Sequence, residues 1–309
     1  MQRIYKPRRF VASGIRHLAS AIRLRIRLRR TGPAFRIRYL TLKFQLMPTD
    51  AAFAKNYDQY LGPLLFEPFA EDIAERISNG TFSSVLEIAC GTGRATRHIR
   101  RAIPSTSKLV ATDSNADMIK VAAELVPDNN INWQTADTQQ LIFPDESFDL
   151  VVCQFGLMFM PDKMKVVSEW LRVLKKGGKL IFSTWDKIEN NGVIYLGNQI
   201  ICSYFPENPP SFYRAPFTMC QPDHLETLLV SQGFRSVKVS AVEKVGTSPS
   251  AHDTAVGMVQ GNPIYGRIIE KDPKLVDTIT TAVEQKIGSV YGERPLTSPL
   301  RAWVVEAKK

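Results

Sequence analysis

Four cysteines in 309 residues are too few for a disulfide framework, and none stands in a Cys-x-x-Cys pair. Cys90, Cys153, Cys202 and Cys220 each lie in an apolar or mixed stretch and read as reduced thiols. The four histidines, His17, His98, His224 and His252, are scattered without ligand spacing, so no metal site is expected. No run of about 18 apolar residues occurs, which argues against a membrane-spanning helix. Internal repeats and low-complexity tracts are absent after residue 48. Acidic residues are missing from residues 1–49, where 13 Lys or Arg fall. The remaining chain holds 27 basic against 30 acidic residues, so the net charge of +10 belongs to a basic extension and not to the body. Any basic footprint for nucleic acid would have to reside in that extension.

Residues 1–48 thus read as a non-core extension ahead of a body spanning residues 49–309. Ile22 to Arg30 alternate apolar residues with Arg, giving one greasy and one cationic face on a strand and no clean stripe on a helix. Three readings stay open: an organelle transit segment, an arm for an anionic membrane or nucleic acid, or a stretch outside the functional protein, since Met47-Pro48-Thr49-Asp50 looks like a start. The expected location is the cytoplasm, with organelle targeting or a membrane surface through residues 1–46 as the alternative. Membrane contact is expected only through this extension.

Past residue 50, helical patterns over about 50–77 give way to alternating strands and helices. Strands are expected at 84–90, 108–112, 131–136, 148–154 and 179–185. Helices are expected at 93–102, 114–126 (capped by Ser114, with Met118, Ala122 and Leu125 on one face) and 162–175. Strands alternating with helices imply βαβ units and a parallel sheet covered on both faces, hence an α/β doubly wound fold. Two stretches break the rhythm. Residues 186–219 look loop-like, with four prolines, and 247–293 are largely helical; the regions 186–222 and 247–297 read as helical lid insertions. A helix at 223–232 and strands at 235–242 and 301–307 complete a mostly parallel, seven-stranded sheet.

Gly91-Thr92-Gly93 falls between the first strand and its helix, where glycines let backbone approach a ligand and helix N–H groups face anions. A dinucleotide site would want a third glycine where Thr96 stands. Asp113 ends the second strand, 20 residues on, and suits a ribose hydroxyl in either cofactor class.

Five segments in order separate the classes. Val85–Gly93, Asp113-Ser114-Asn115-Ala116-Asp117-Met118, Ala136-Asp137, Phe148–Phe155 and Arg172–Gly178 resemble the successive motifs of class I S-adenosylmethionine (SAM) dependent methyltransferases. The branch is the type 11 group similar to ubiquinone/menaquinone C-methyltransferases; Lys176 stands where a proline is common. The resemblance runs over residues 57–185 and implies a Rossmann-like methyltransferase fold with SAM as cofactor. It also implies roles. Backbone at Ala89, Gly91 and Gly93 would hold the methionine part, with Glu87 near its ammonium and Gln154 close by. Asp113, with Ser114 beside it, would take the ribose. Met118 would lie on the adenine face, and Asp137 would accept from the adenine amino group, with the Thr138 backbone nearby. Tyr57 would stand in a helix folded over the cofactor. Read from periodicity alone, Met118 is also a core position, Cys90 a packed residue and His98 a surface helix residue.

Methyl transfer from a sulfonium is an in-line displacement that needs alignment and exclusion of water. No constellation identifies a catalytic base. Tyr60, Phe155, Phe159 and Trp185, with Met158, are candidates for an aromatic acceptor pocket, so a small apolar or aromatic acceptor is expected. Asn208-Pro209-Pro210-Ser211-Phe212 resembles the Asn-Pro-Pro-Tyr signature of enzymes acting on nucleic-acid amino groups, but it follows the fifth strand instead of the fourth. With a near-neutral body, this argues against a nucleic-acid substrate. The alternatives are a non-catalytic SAM-binding regulator, or a basic-tailed methyltransferase acting on RNA or a membrane quinone precursor. Oligomeric state is left open.

Overall fold

Short apolar runs bounded by turn residues make the strands of this chain, and it returns to one sheet after each of them. A computed structural model describes residues 51–210 and 214–309. The basic extension, and the start read at Met47, lie outside the described residues. Helix α1 (Ala51–Asn56) continues as a π-helical segment (Tyr57–Phe66), followed by α2 (Glu67–Ser78) with a proline in its first turn. Then come β1 (Ser84–Ile88), α3 (Arg94–Ala102), β2 (Lys108–Asp113), α4 (Ala116–Leu125), β3 (Ile131–Thr135), β4 (Phe148–Gln154), α5 (Lys163–Val173) and β5 (Leu174–Trp185). Helix α6 (Gly192–Ser203) and α7 (Pro222–Ser231) precede β6 (Arg235–Ser248). Helices α8 (Ala251–Gln260), α9 (Ile264–Lys271) and α10 (Leu275–Tyr291) separate β6 from β7 (Leu296–Lys308).

The sheet order is β3-β2-β1-β4-β5-β7-β6. The first five strands are parallel; β7 runs antiparallel to both β5 and β6. This is the doubly wound, mostly parallel seven-stranded sheet that the alternation implies. Its order reverses between β1 and β4, which makes a crevice at their C-terminal ends. The two faces bury separate cores. One packs the π-helical segment, α2, α3, α6 and the α8–α10 group against the sheet. The other packs α5 and α7 around Trp170, a side chain whose full burial is worth about 3 kcal/mol.

Several expectations need correction. Residues 186–219 are not all loop: α6 fills their middle and buries Val193, Ile194, Gly197 and Ile201 against the sheet, α8 and α10. The cap of α4 is Asn115, whose side chain accepts from the Asp117 and Met118 N–H groups, and not Ser114. Leu125 is exposed, and Val121 joins Ala122 on the buried face. Strands β5, β6 and β7 are longer than their apolar centres. His98 is not a plain surface residue; its Nε2 lies 2.7 Å from Glu67 Oε1 and ties α3 to α2. No helix of the described residues is long and apolar enough to cross a membrane.

Candidate functional site

The crevice between β1 and β4 is built from two tight turns in contact. Ala89 follows β1 with φ 55° and Phe155 follows β4 with φ 52°. Both are non-glycine residues in the left-handed region, a conformation that costs about 1–3 kcal/mol and that proteins retain at functional sites. Gly156 lets the turns touch, since a Cβ there would meet the Ala89 Cβ at 2.7 Å. Gly91 also has a positive φ, and nothing lies within 4 Å of where its Cβ would be. That open space above a glycine is room for a ligand. Gly93 (φ 81°) closes the turn with its N–H on the Cys90 carbonyl at 2.9 Å, and α3 starts from it.

Three carboxylates meet this turn in different ways. Glu87, in β1, is 1% exposed, and its Oε2 has no hydrogen-bond partner. The Thr96 hydroxyl of α3 is equally buried and unpartnered. Burial pushes the Glu87 carboxyl up to about 8, and the charge of Asp113 adds to the rise. The Thr96 hydroxyl is close enough to pull that value back but lies outside hydrogen-bonding geometry. Asp113 ends β2; its Oδ2 accepts from the Gly91 N–H at 3.0 Å and its Oδ1 from the Asn115 N–H at 2.9 Å. Burial still raises its pKa, against the N–H groups of Asn115, Gly91 and Ser114. Asp137 is exposed past β3 and folds its Oδ1 onto the Gln139 N–H. The Ala136 N–H donates to the Asp113 carbonyl at 3.0 Å, which holds the two acidic strand ends side by side.

The remaining cofactor candidates divide. Met118 is half-buried in the first turn of α4, directly after Asp113 and Asn115. The Tyr57 phenol is pushed well up by burial and then by the charges of Asp113 and Asp58, which brings it to the same edge. Gln154 is used internally: its Nε2 donates to the Phe66 carbonyl at 2.8 Å and fastens the π-helical segment to β4. The Thr138 hydroxyl accepts from the Trp170 indole at 3.0 Å, and Ser114 is exposed. Cys90 is buried and its thiol is raised far above its ordinary value, as suits a packed residue.

Of the acceptor candidates, Phe155 and Trp185 stack face to face at 4.0 Å and are buried. Phe66 and Phe217, which the sequence did not single out, join them at 6.0 and 6.1 Å. Phe159 is half-buried on a 3₁₀ turn (Leu157–Phe159) that packs on another (Ala215–Phe217). Tyr60 is not part of this cluster; it packs on α8, where a Cβ at Gly257 would meet its own at 2.8 Å. Phe217 also lines a groove of about 780 Å³, together with Tyr195, Asn198, Cys202 and Phe205 of the α6 region and Lys187 and Arg214. The sequence reading gave no role to Asp58, Thr92 or Arg94; Thr92 and Arg94 both donate to Asp58 of the π-helical segment.

Residues 86–182 match the model of a family described as a methyltransferase domain. The ubiquinone/menaquinone biosynthesis C-methyltransferase UbiE of Pseudomonas aeruginosa is 39% identical over 167 residues, covering 50% of this chain and 65% of the relative. That of Stutzerimonas stutzeri is 38% identical over 110 residues, covering 34% and 43%. The chain therefore spans less than two thirds of these relatives' length. Among solved structures, a Haemonchus contortus phosphoethanolamine N-methyltransferase 2 in complex with SAM shares the fold at a TM-score of 0.53 and 18% identity, over 83% of this chain and 56% of that one. Five motifs in order, this strand order and the family match identify residues 86–182 as a methyltransferase domain of class I type, and the chain is similar to the ubiquinone/menaquinone C-methyltransferase branch.

Proposed function

We propose that the protein binds SAM at the β1–β4 crevice and transfers its methyl group to a small apolar or aromatic molecule by in-line displacement. The observation that carries this reading is the Glu87 Oε2, a buried and unpartnered carboxylate oxygen beside an open glycine turn. Such an oxygen is short of a donor, and the ammonium of a methionine moiety would supply one and draw the carboxyl back to its charged form. Asp113 stands at the position for ribose hydroxyls, Met118 for the adenine face, and Asp137 for the adenine amino group. Tyr57 covers the edge they form. When bound, SAM supplies an electrophilic methyl on a sulfonium. The chain's own part is to orient that sulfonium, exclude water with the Phe66–Phe155–Trp185 cluster and present the acceptor; orientation alone lowers a barrier by roughly 7–11 kcal/mol.

The acceptor's room in this reading is the groove that Phe217 helps to line, next to the aromatic cluster that Phe217 joins through Trp185. Its volume falls within the usual span of small-molecule sites, about 300–1,000 Å³. The relatives' names favour a more specific form: carbon methylation of a quinone-type ring. Domain limits at residues 49–309, with 186–222 and 247–297 acting as lids, belong to the same proposal. The test incubates the purified chain and labelled SAM with a cell metabolite extract. A labelled small molecule is expected, reduced about a hundredfold or more by Asp113→Ala. A chain that binds SAM and labels nothing overturns catalysis and leaves a regulator. Label in RNA overturns the small-molecule acceptor.

A further inference from the structure

Arg94 opens α3 directly after Gly93. A cation there opposes the positive end of the helix dipole, so its position needs a reason. Its side chain is 13% exposed and that of its partner Asp58 is 14%. The guanidinium donates to Asp58 Oδ2 at 2.9 Å, to Oδ1 at 3.3 Å and to the Asp58 carbonyl at 3.0 Å. A fourth bond, at 2.6 Å, goes to Glu67 Oε2. Asp58 Oδ1 also accepts from the Thr92 hydroxyl at 2.8 Å. One carboxylate therefore joins the residue between the two glycines to the π-helical segment.

The segment is shaped for this contact. A side chain at Gly62 would collide with the guanidinium, so glycine makes the space. Pro63 lies inside the segment and removes a backbone donor. A π-helical stretch is uncommon and tends to mark a functional site; here side-chain bonds supplement a weakened ladder. An apolar contact would hold the two elements at least as tightly, because desolvation offsets most of the attraction in a buried ion pair. What the pair adds is a single registry. Tyr57, the residue before Asp58, packs its ring on Phe66 at 5.2 Å, moves with that registry and feels the charge of Asp113.

We infer that Asp58 and Arg94 are positioning residues for the cofactor: their bridge to Thr92 locks the π-helical segment on the glycine turn and sets where Tyr57 stands over the ribose side of the site. The inference rests on the SAM reading above. The test titrates the purified chain with S-adenosylhomocysteine by calorimetry and follows thermal unfolding in parallel. Arg94→Leu and Asp58→Asn are each expected to weaken binding about tenfold or more, and Arg94→Lys, which keeps the charge without the fork, by less. In a Tyr57→Phe background the Arg94→Leu loss is expected to shrink, since both changes act on one contact. Full additivity, or wild-type affinity in a folded Arg94→Leu or Asp58→Asn chain, overturns the inference. Where those variants do not fold, Thr92→Val removes one bond at nearly constant volume. It is expected to weaken binding severalfold, and unchanged affinity overturns the bridge. A wild-type chain that binds no S-adenosylhomocysteine overturns the SAM reading and this one with it.

Discussion

Two ends of the same parallel strands treat their carboxylates in opposite ways. At the start of β4, Asp149 Oδ2 accepts from the N–H and hydroxyl of both Ser83 and Ser84 at 2.6–3.0 Å. Its Oδ1 accepts from Lys175 at 2.8 Å. Burial works against the charge, but these donors outweigh it and hold the carboxyl well below the usual range. At the other end, Glu87 is more deeply buried, and its Oε2 has no well-aligned donor, only the nearby Thr96 hydroxyl. No cation is among the groups that perturb it; its neighbours are Asp113, Thr96, Cys90 and Cys153. The saturated end joins β1, β4 and β5 for stability. The orphaned end keeps a cost, which the proposed cofactor would relieve.

Neutralising Glu87 breaks the contrast most strongly. Folding raises this carboxyl from 4.5 to about 8, so between those values the folded chain holds a proton that the unfolded chain has released. The stability tied to this group is therefore full below about pH 4.5 and is lost as pH rises to about 8, at up to about 1.4 kcal/mol per unit. Glu87→Gln is expected to flatten this slope in urea titrations between pH 5 and 9 and to stabilise the ligand-free chain at the alkaline end. It is also expected to weaken S-adenosylhomocysteine binding, because an amide offers an ammonium no charge. A slope that survives the substitution would place the buried proton on another group.

Asp149→Ala probes the saturated end. Two serine N–H groups lose their acceptor and Lys175 loses its partner, for an expected loss of about 2–3 kcal/mol in urea unfolding. The sign at low pH is opposite to that of Glu87: the stabilisation is present above the unfolded value of 3.8 and is lost as pH falls below it. The variant is expected to lose that acid dependence while its folded form binds S-adenosylhomocysteine as the wild type does. Weakened binding would show that the two ends are not independent.

The strands and the glycine turn were legible because each is local. An apolar run, a turn residue and an acidic strand end lie within a few positions of one another, and Asp113 and Asp137 come together once β2 and β3 pair. Three features were not legible. Helix α6 carries Gly192, Gly197 and four β-branched residues, which lower its helix propensity, and it stands beside a proline-rich loop. The Asp58–Thr92–Arg94 bridge spans about 35 positions and appears only when the π-helical segment lies on α3. The stacking of Phe155 on Trp185 depends on the left-handed turn at Phe155, which nothing in that residue type announces.

The cap of α4 shows the same limit on a smaller scale and offers the finest test of the contrast. Asp113-Ser114-Asn115 are three consecutive residues able to cap a helix. The register is decided by tertiary structure: the Gly91 N–H occupies Asp113, which leaves Asn115 to accept from Asp117 and Met118 at 2.9 and 3.4 Å. Asn115→Ala removes those side-chain bonds but keeps the backbone N–H that supports Asp113, so about 1 kcal/mol of stability is expected to go. S-adenosylhomocysteine affinity is expected to change far less than in Asp113→Ala. That outcome would divide the C-terminal edge itself into a residue that holds the helix and a carboxylate that the helix serves. An affinity loss as large as that of Asp113→Ala would mean that placement of Met118, more than the carboxylate, governs the site.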